Sequence, residues 1–302
     1  MIRLGSKSKG WKWAALAIFS FSASVFGEIN HVILIGCDGM SPDGIRNADT
    51  PVMDKLMKEG AYTLHARGVF PTSSGPNWAS MINGAGPEQH GVLNNDWEPG
   101  KSKVTPSAEG PVKGMFPTIY AVLREQKPQS ILTCVHDWDP IPNMFEANLA
   151  DKIVSTSGSK NTTKRAVKLI KKMKPTFLFI HMDDIDHVGH GTGHGTPEYY
   201  ASVAETDVLI GNILQAVKDA GIENETVIII TSDHGGHGTG HGQSIMADLE
   251  IPWIVWGSGI VPGKELKGLV NTYDTAATIA HLLGVKSHPA WIGKPVLEAL
   301  KK

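Results

Sequence analysis

The chain has 302 residues, with 28 Lys+Arg, 30 Asp+Glu and 13 His, a formal net charge of −2 and 41% hydrophobic residues. That length accommodates one large domain or two small ones, and the apolar content excludes wholesale disorder. Two cysteines exclude a disulfide scaffold, and the balanced charge leaves no basic footprint for nucleic acid.

Residues 1–27 read as a secretory signal. Arg3, Lys7, Lys9 and Lys12 precede an apolar run from Trp13 to Phe26, followed by a cleavage point after Gly27. The run is shorter than the roughly 17–25 residues of a membrane-spanning helix; an uncleaved anchor is the alternative. Removing the segment leaves 24 basic against 30 acidic residues, a net of −6. The mature protein, residues 28–302, is expected to be exported, periplasmic or secreted, with no stable membrane span.

In the mature chain, short apolar runs alternate with helical patterns. His31–Cys37 (HVILIGC) reads as a strand buried on both faces. Thr50 caps a helix with Pro51 at its first position, ended by Gly60. Ala61–Val69 is a second strand, Pro76–Asn83 a helix, Pro117–Gln126 a helix and Ser130–His136 a strand. Thr163–Met173 is a basic amphipathic helix whose charged face is expected to be solvated. Thr176–Met182 (strand), Pro197–Ala220 (helix), Glu225–Ser232 (strand), Pro252–Trp256 (strand) and Tyr273–Leu283 (helix) follow.

Uniformly apolar strands separated by helices predict an α/β domain: a mostly parallel central sheet with helices on both faces. Ligands gather beyond the carboxyl ends of such strands. No linker marks a second domain. Residues 86–116 and 136–162 read as excursions that together form a small lid. Cys37 and Cys134 lie in or at the end of strands and pair only if those strands are neighbours; two buried thiols are the alternative.

The histidines are unevenly placed. Seven of the 13 lie between His181 and His241, more imidazoles than a buried core has use for. Three strands end in acidic or acid–histidine clusters: Asp38-Gly39; Asp183-Asp184-Ile185-Asp186-His187-Val188-Gly189-His190; and Asp233-His234-Gly235-Gly236, with His237 and His241 beyond. Carboxylates at adjacent strand ends repel unless a cation sits among them, and Asp with His is ligand chemistry for zinc or manganese. Phe70-Pro71-Thr72-Ser73-Ser74-Gly75-Pro76-Asn77 places Ser74 at a helix N-terminus, where free N–H groups and the dipole favour an anion. A serine oxygen activated by a metal is a strong nucleophile; the alternative is that Thr72, Ser73 and Ser74 are cap residues only.

These motifs, in this order, resemble those of the alkaline phosphatase superfamily, and most closely its type I phosphodiesterase/nucleotide pyrophosphatase branch, from about Val32 to Leu283. The resemblance implies Ser74 as nucleophile, Asn77 as the holder of a phosphate oxygen, and Gly86–Val92 as the family's Pro-Glu-x-His-Gly segment. It implies two divalent metal ions, zinc in the family's usual form. Asp186, His190 and His241 would hold one, with His241 preferred over His237, His194 and His281. Asp38, Asp233, His234 and the Ser74 oxygen would hold the other. The implied activity is hydrolysis of a small-molecule phosphate ester through a phosphoserine intermediate. Phosphomonoesterase activity and non-catalytic binding of a phosphorylated ligand are the alternatives.

The chain departs from its relatives in three ways. Gly75 stands where nucleotide-cleaving relatives carry an aromatic residue. None of Arg46, Arg67, Arg124 or Arg165 lies in a motif to grip a monoester, and no segment suits a sulfatase's formylglycine. His181, His187, His194 and His237 remain without a role.

Overall fold

A computed structural model describes residues 28–302; the expected export signal lies outside them. In chain order the elements are β1 (His31–Cys37), α1 (Pro42–Asn47), α2 (Pro51–Glu59), β2 (Ala61–Arg67), α3 (Ser74–Asn83), α4 (Pro87–His90), α5 (Ile119–Gln126), β3 (Leu132–His136), β4 (Lys152–Ser155), α6 (Ser159–Met173), β5 (Phe177–Met182), α7 (Asp184–Thr192), α8 (Pro197–Asp219), β6 (Thr226–Thr231), α9 (Met246–Leu249), β7 (Glu250–Gly257), β8 (Lys264–Glu265) and α10 (Asp274–Leu282).

The strands form one sheet in the order β4-β3-β5-β1-β6-β7-β2-β8. Only β7 runs against its neighbours. Alternation sends successive side chains to opposite faces. Val32 and Leu34 of β1, Phe177 and Phe179 of β5, and Val227 and Ile229 of β6 join α3, α5 and α10 in one core. Ile33, Ile35 and Cys37, Leu178 and Ile180, and Ile228 and Ile230 meet α2, α6 and α8 in the other. The sheet is therefore covered on both faces, as its apolar strands require. Cys37 and Cys134 are buried free thiols in different cores. β5 lies between their strands, which removes the condition for a disulfide.

The 136–162 excursion is only partly a loop. It contains β4, an edge strand too short and exposed to show an alternating pattern. The 86–116 excursion turns back onto the start of α3 through Asn94 and Asn95, and at Gly110 it lies beside Glu146 of the 136–162 excursion. No helix among the described residues is long and apolar enough to cross a membrane.

Candidate active site and metal centre

β5, β1 and β6 are adjacent and parallel, with Cys37 opposite Met182 and Gly36 opposite Thr231. Their carboxyl ends therefore deliver Asp38, the Asp183–Asp186 segment and Asp233 to one edge of the sheet. Gly36 helps shape that edge. A Cβ there would lie 2.4 Å from the Trp78 ring, so the glycine lets Trp78 pack over β1 and donate its Nε1–H to Asp38 Oδ2 (3.1 Å). Asp233 Oδ1 accepts the Gly39 N–H at 3.2 Å.

Asp186 lies in the first turn of α7 and His190 one turn later. His190 Nε2 is 3.3 Å from Asp186 Oδ2, the contact that i,i+4 spacing permits. His241 arrives from the loop after β6, its ring stacked on His234 at 3.7 Å. Asp186, His190 and His241 present ligand atoms within 4.8 Å of one another, and so do Asp38, Asp186 and His234. Asp186 thus belongs to both groups. Ser74 opens α3, two residues before the expected start, and its Oγ is 3.3 Å from His234 Nε2. Asp233 Oδ2 is also 3.3 Å from His234 Nε2.

The histidine tautomers follow from their partners. Nδ1 of His190 meets the Thr239 carbonyl (3.0 Å), Nδ1 of His234 the Gly235 carbonyl (2.7 Å) and Nδ1 of His241 the Thr72 carbonyl (2.9 Å). A carbonyl can only accept, so each Nδ1 carries the proton and each Nε2 lone pair faces the cleft. This is the arrangement that orients metal-ligating histidines. On the carboxylate side, Asp38 Oδ1, Asp186 Oδ1 and Asp233 Oδ2 are buried without a hydrogen-bond partner. Burial, followed by the charges of Asp233 and Asp186 for Asp38 and of Asp186 for Asp233, holds both carboxyls well above the usual carboxylate range. The orphaned oxygens of Asp38 and Asp233, with Asp186 Oδ2 beside the His190 lone pair, fit divalent cations with mixed O/N ligation, such as zinc or manganese.

Several residues around Ser74 and Asp38 take places that their sequence context did not show. Asn77 does not reach outward. Its Oδ1 accepts the Val69 N–H (2.6 Å), and its Nδ2 donates to the carbonyls of Val69, Pro71 and Ser73. The amide is spent on the loop before Ser74, which it braces, and has no hydrogen left for a phosphate oxygen. Asn95, which sequence reasoning missed, lies next to Ser74: its Oδ1 accepts the Gly75 N–H at 2.8 Å. A Cβ on Gly75 would lie 2.6 Å from the Asn94 carbonyl oxygen, so the 86–116 excursion fills the room an aromatic side chain would need. His181, fully buried on β5, donates Nε2–H to Asp38 Oδ2 at 3.0 Å. Burial holds its ring down to about 4, hence neutral. Asp183 also converges on that pair, and burial with the nearby Asp38 charge pushes it up to about 7.

The remaining histidines separate by partner. His237 Nδ1 meets Asp248 Oδ1 at 2.7 Å and fastens the loop to α9. His187 and His281 are exposed. His90, in the Pro-Glu-x-His-Gly segment, accepts the Val92 N–H at Nδ1 and donates Nε2–H to Ser80, tying α4 to α3.

An α/β sheet with Asp/His clusters at its central carboxyl edge and a serine at a facing helix N-terminus defines an alkaline phosphatase-like protein. The sequence matches the type I phosphodiesterase/nucleotide pyrophosphatase family over residues 32–249, and the chain belongs to that family. It is 26% identical over 246 residues to an uncharacterised pyrophosphatase/phosphodiesterase of Schizosaccharomyces pombe, covering 72% of this chain and 50% of that protein. It is 28% identical over 212 residues to a bis(5'-adenosyl)-triphosphatase of Mus musculus, covering 67% and 46%. The chain spans about half the length, or less, of the curated relatives it matches. Its fold resembles murine ectonucleotide pyrophosphatase/phosphodiesterase 5 in complex with AMP (TM-score 0.74, 15% identity, 90% of this chain and 100% of that one). It also resembles a 2-O GAG sulfatase (TM-score 0.70, 17% identity, 89% and 73%).

Proposed function

We propose that the chain is an exported two-metal hydrolase of small-molecule phosphodiester or pyrophosphate bonds that works through a phosphoserine on Ser74. One observation carries this reading: the Ser74 oxygen stands at the N-terminus of α3, 3.3 Å from His234 Nε2, beside orphaned carboxylates. Asp186, His190 and His241 would hold one ion; Asp38, Asp233, His234 and Ser74 the other. Bound there, zinc supplies charge neutralisation for the phosphoryl oxygens and lowers the pKa of serine and water hydroxyls.

The chain's own groups do the rest. Ser74 Oγ forms the new P–O bond as the P–O bond to the alcohol or phosphate leaving group breaks, and water then returns the serine. The free N–H groups of α3 and the Nδ2 amide of Asn95, whose Oδ1 is anchored on Gly75 N, donate to non-bridging oxygens. His181 and Trp78 hold Asp38 by its Oδ2, leaving Oδ1 for the cation.

A diester fits better than a monoester. Arg67 is engaged by Glu250 and Arg124 by Asp151, so neither is free to grip a monoester's extra charge. The relatives' names point to nucleotide-like substrates, while the filled space at Gly75 argues for a base platform elsewhere. Rates on bis-p-nitrophenyl phosphate and p-nitrophenyl phosphate, with and without chelator, test the reading. It predicts chelator-sensitive turnover with the diester preferred; chelator-insensitive turnover, or none on a broad ester panel despite bound metal, defeats it. Export is supported by the composition of residues 1–27 and tested by N-terminal sequencing of the secreted protein.

A further inference from the structure

The His194 side chain is only 3% exposed, and neither ring nitrogen has a hydrogen-bond partner. An imidazole buried this way loses its hydration without return. The chain nevertheless makes room for it. A Cβ on Gly189 would lie 2.5 Å from His194 Nε2, and one on Gly236 would lie 2.3 Å from both Cε1 and Nε2. Gly189 sits on α7 between Asp186 and His190. Gly236 lies two residues after His234. The ring is therefore wedged between the two segments that carry most of the cluster, in a slot that only glycines leave open. Its Nε2 is 4.0 Å from Asp186 Oδ1, itself a buried oxygen without a partner. That oxygen is confined on its other side: a Cβ on Gly39 would meet it at 2.8 Å.

Two orphaned groups thus face each other across a gap about 1 Å longer than a hydrogen bond. One carboxylate oxygen, Oδ2, is turned to His190, and the other to His194. We propose that His194 is the positioning residue of Asp186: its Nε2–H donates to Oδ1 when the carboxylate engages a cation through Oδ2. The contact would fix the carboxylate's orientation and keep it from rotating between the two ligand groups it shares. The inference rests on the two-metal reading of the same site.

The test is metal binding by the purified chain, titrated with Zn2+ against a competing chelator and with Co2+ followed by its visible spectrum. Three proteins are compared: wild type, His194→Leu, which keeps bulk without a donor, and His194→Gln, which restores an N–H at similar reach. In His194→Leu one of two metal equivalents should weaken about 10–100-fold, with an altered Co2+ spectrum, and His194→Gln should recover most of the affinity. If His194→Leu does not fold, 15N spectra of wild-type imidazoles decide. His194 should be protonated at Nε2 and shift on metal addition; an Nδ1-protonated ring indifferent to metal overturns the proposal. Two equivalents bound by His194→Leu with wild-type affinity and spectrum also overturn it, leaving His194 as filler and the two-metal reading intact. A wild-type chain that binds no metal instead removes the reading beneath it.

Discussion

Asn77 and Asn95 are both amides near Ser74, and their hydrogen bonds assign them opposite tasks. Asn77 is saturated by the backbone of residues 69–73, so Asn77→Ala should act through stability. We expect a loss of about 2–4 kcal/mol in urea unfolding, because buried backbone groups lose their partner. Asn95 is exposed, with only its Oδ1 engaged. Asn95→Ala should leave the unfolding midpoint nearly unchanged and lower kcat/KM about 10²-fold, as for other lost transition-state donors. The reverse pattern in paired stability and kinetic measurements would exchange the two roles. At the ligands, Asp186→Asn or His190→Ala should each cost one metal equivalent by elemental analysis; two retained equivalents would remove those residues from the site.

The elements that present these residues were legible to different degrees. β1 matches its expected span, and the other apolar strands lie within a few residues of theirs, because burial on both faces writes a run that no helix or loop imitates. α7, which carries Asp186 and His190, has no comparable signature. Two glycines in nine residues weaken its helical propensity, so its motif was visible and its conformation was not. β4 was hidden by its exposed edge position, and Asn95 lay in a loop with no period to read. His181 was legible in principle, since it shares the face of Phe177 and Phe179 on β5 and so had to be buried. The α3–α4 junction offers a test at this scale. Burial holds His90 down to about 3, below the value near 6.5 of an unfolded chain. The unfolded state therefore binds the extra proton as pH falls, so this contribution is complete above about pH 6.5 and is lost toward pH 3. The stability difference between wild type and His90→Gln should shrink by up to about 1.4 kcal/mol per pH unit below pH 6.5. A pH-independent difference in chelator-treated protein would mean that the ring is not held neutral.

Across the whole molecule, two cores flank the sheet, and the charged cluster stands where the three central strands end. Three carboxylates there have oxygens with no partner, so the fold carries a local electrostatic cost that bound cations would offset. Ligands that bind only the folded state add RT ln(1 + [L]/Kd) to its stability, about 2.7 kcal/mol at a hundredfold excess over Kd. Chelation should therefore lower Tm by several degrees, and zinc should restore it; a Tm indifferent to both would contradict the cation site. The 86–116 excursion acts at the same scale, because its backbone at Asn94 lies beside Gly75, next to the proposed nucleophile Ser74. The central claim is the phosphoserine, and acid-quenching a burst of diester turnover followed by peptide mass mapping tests it most directly. The account predicts one added phosphoryl group, still carrying the ester group that does not leave, on the peptide containing Ser74, absent in Ser74→Ala, a variant expected to lose turnover but keep its metal. An unmodified Ser74 peptide together with full turnover by Ser74→Ala would contradict it.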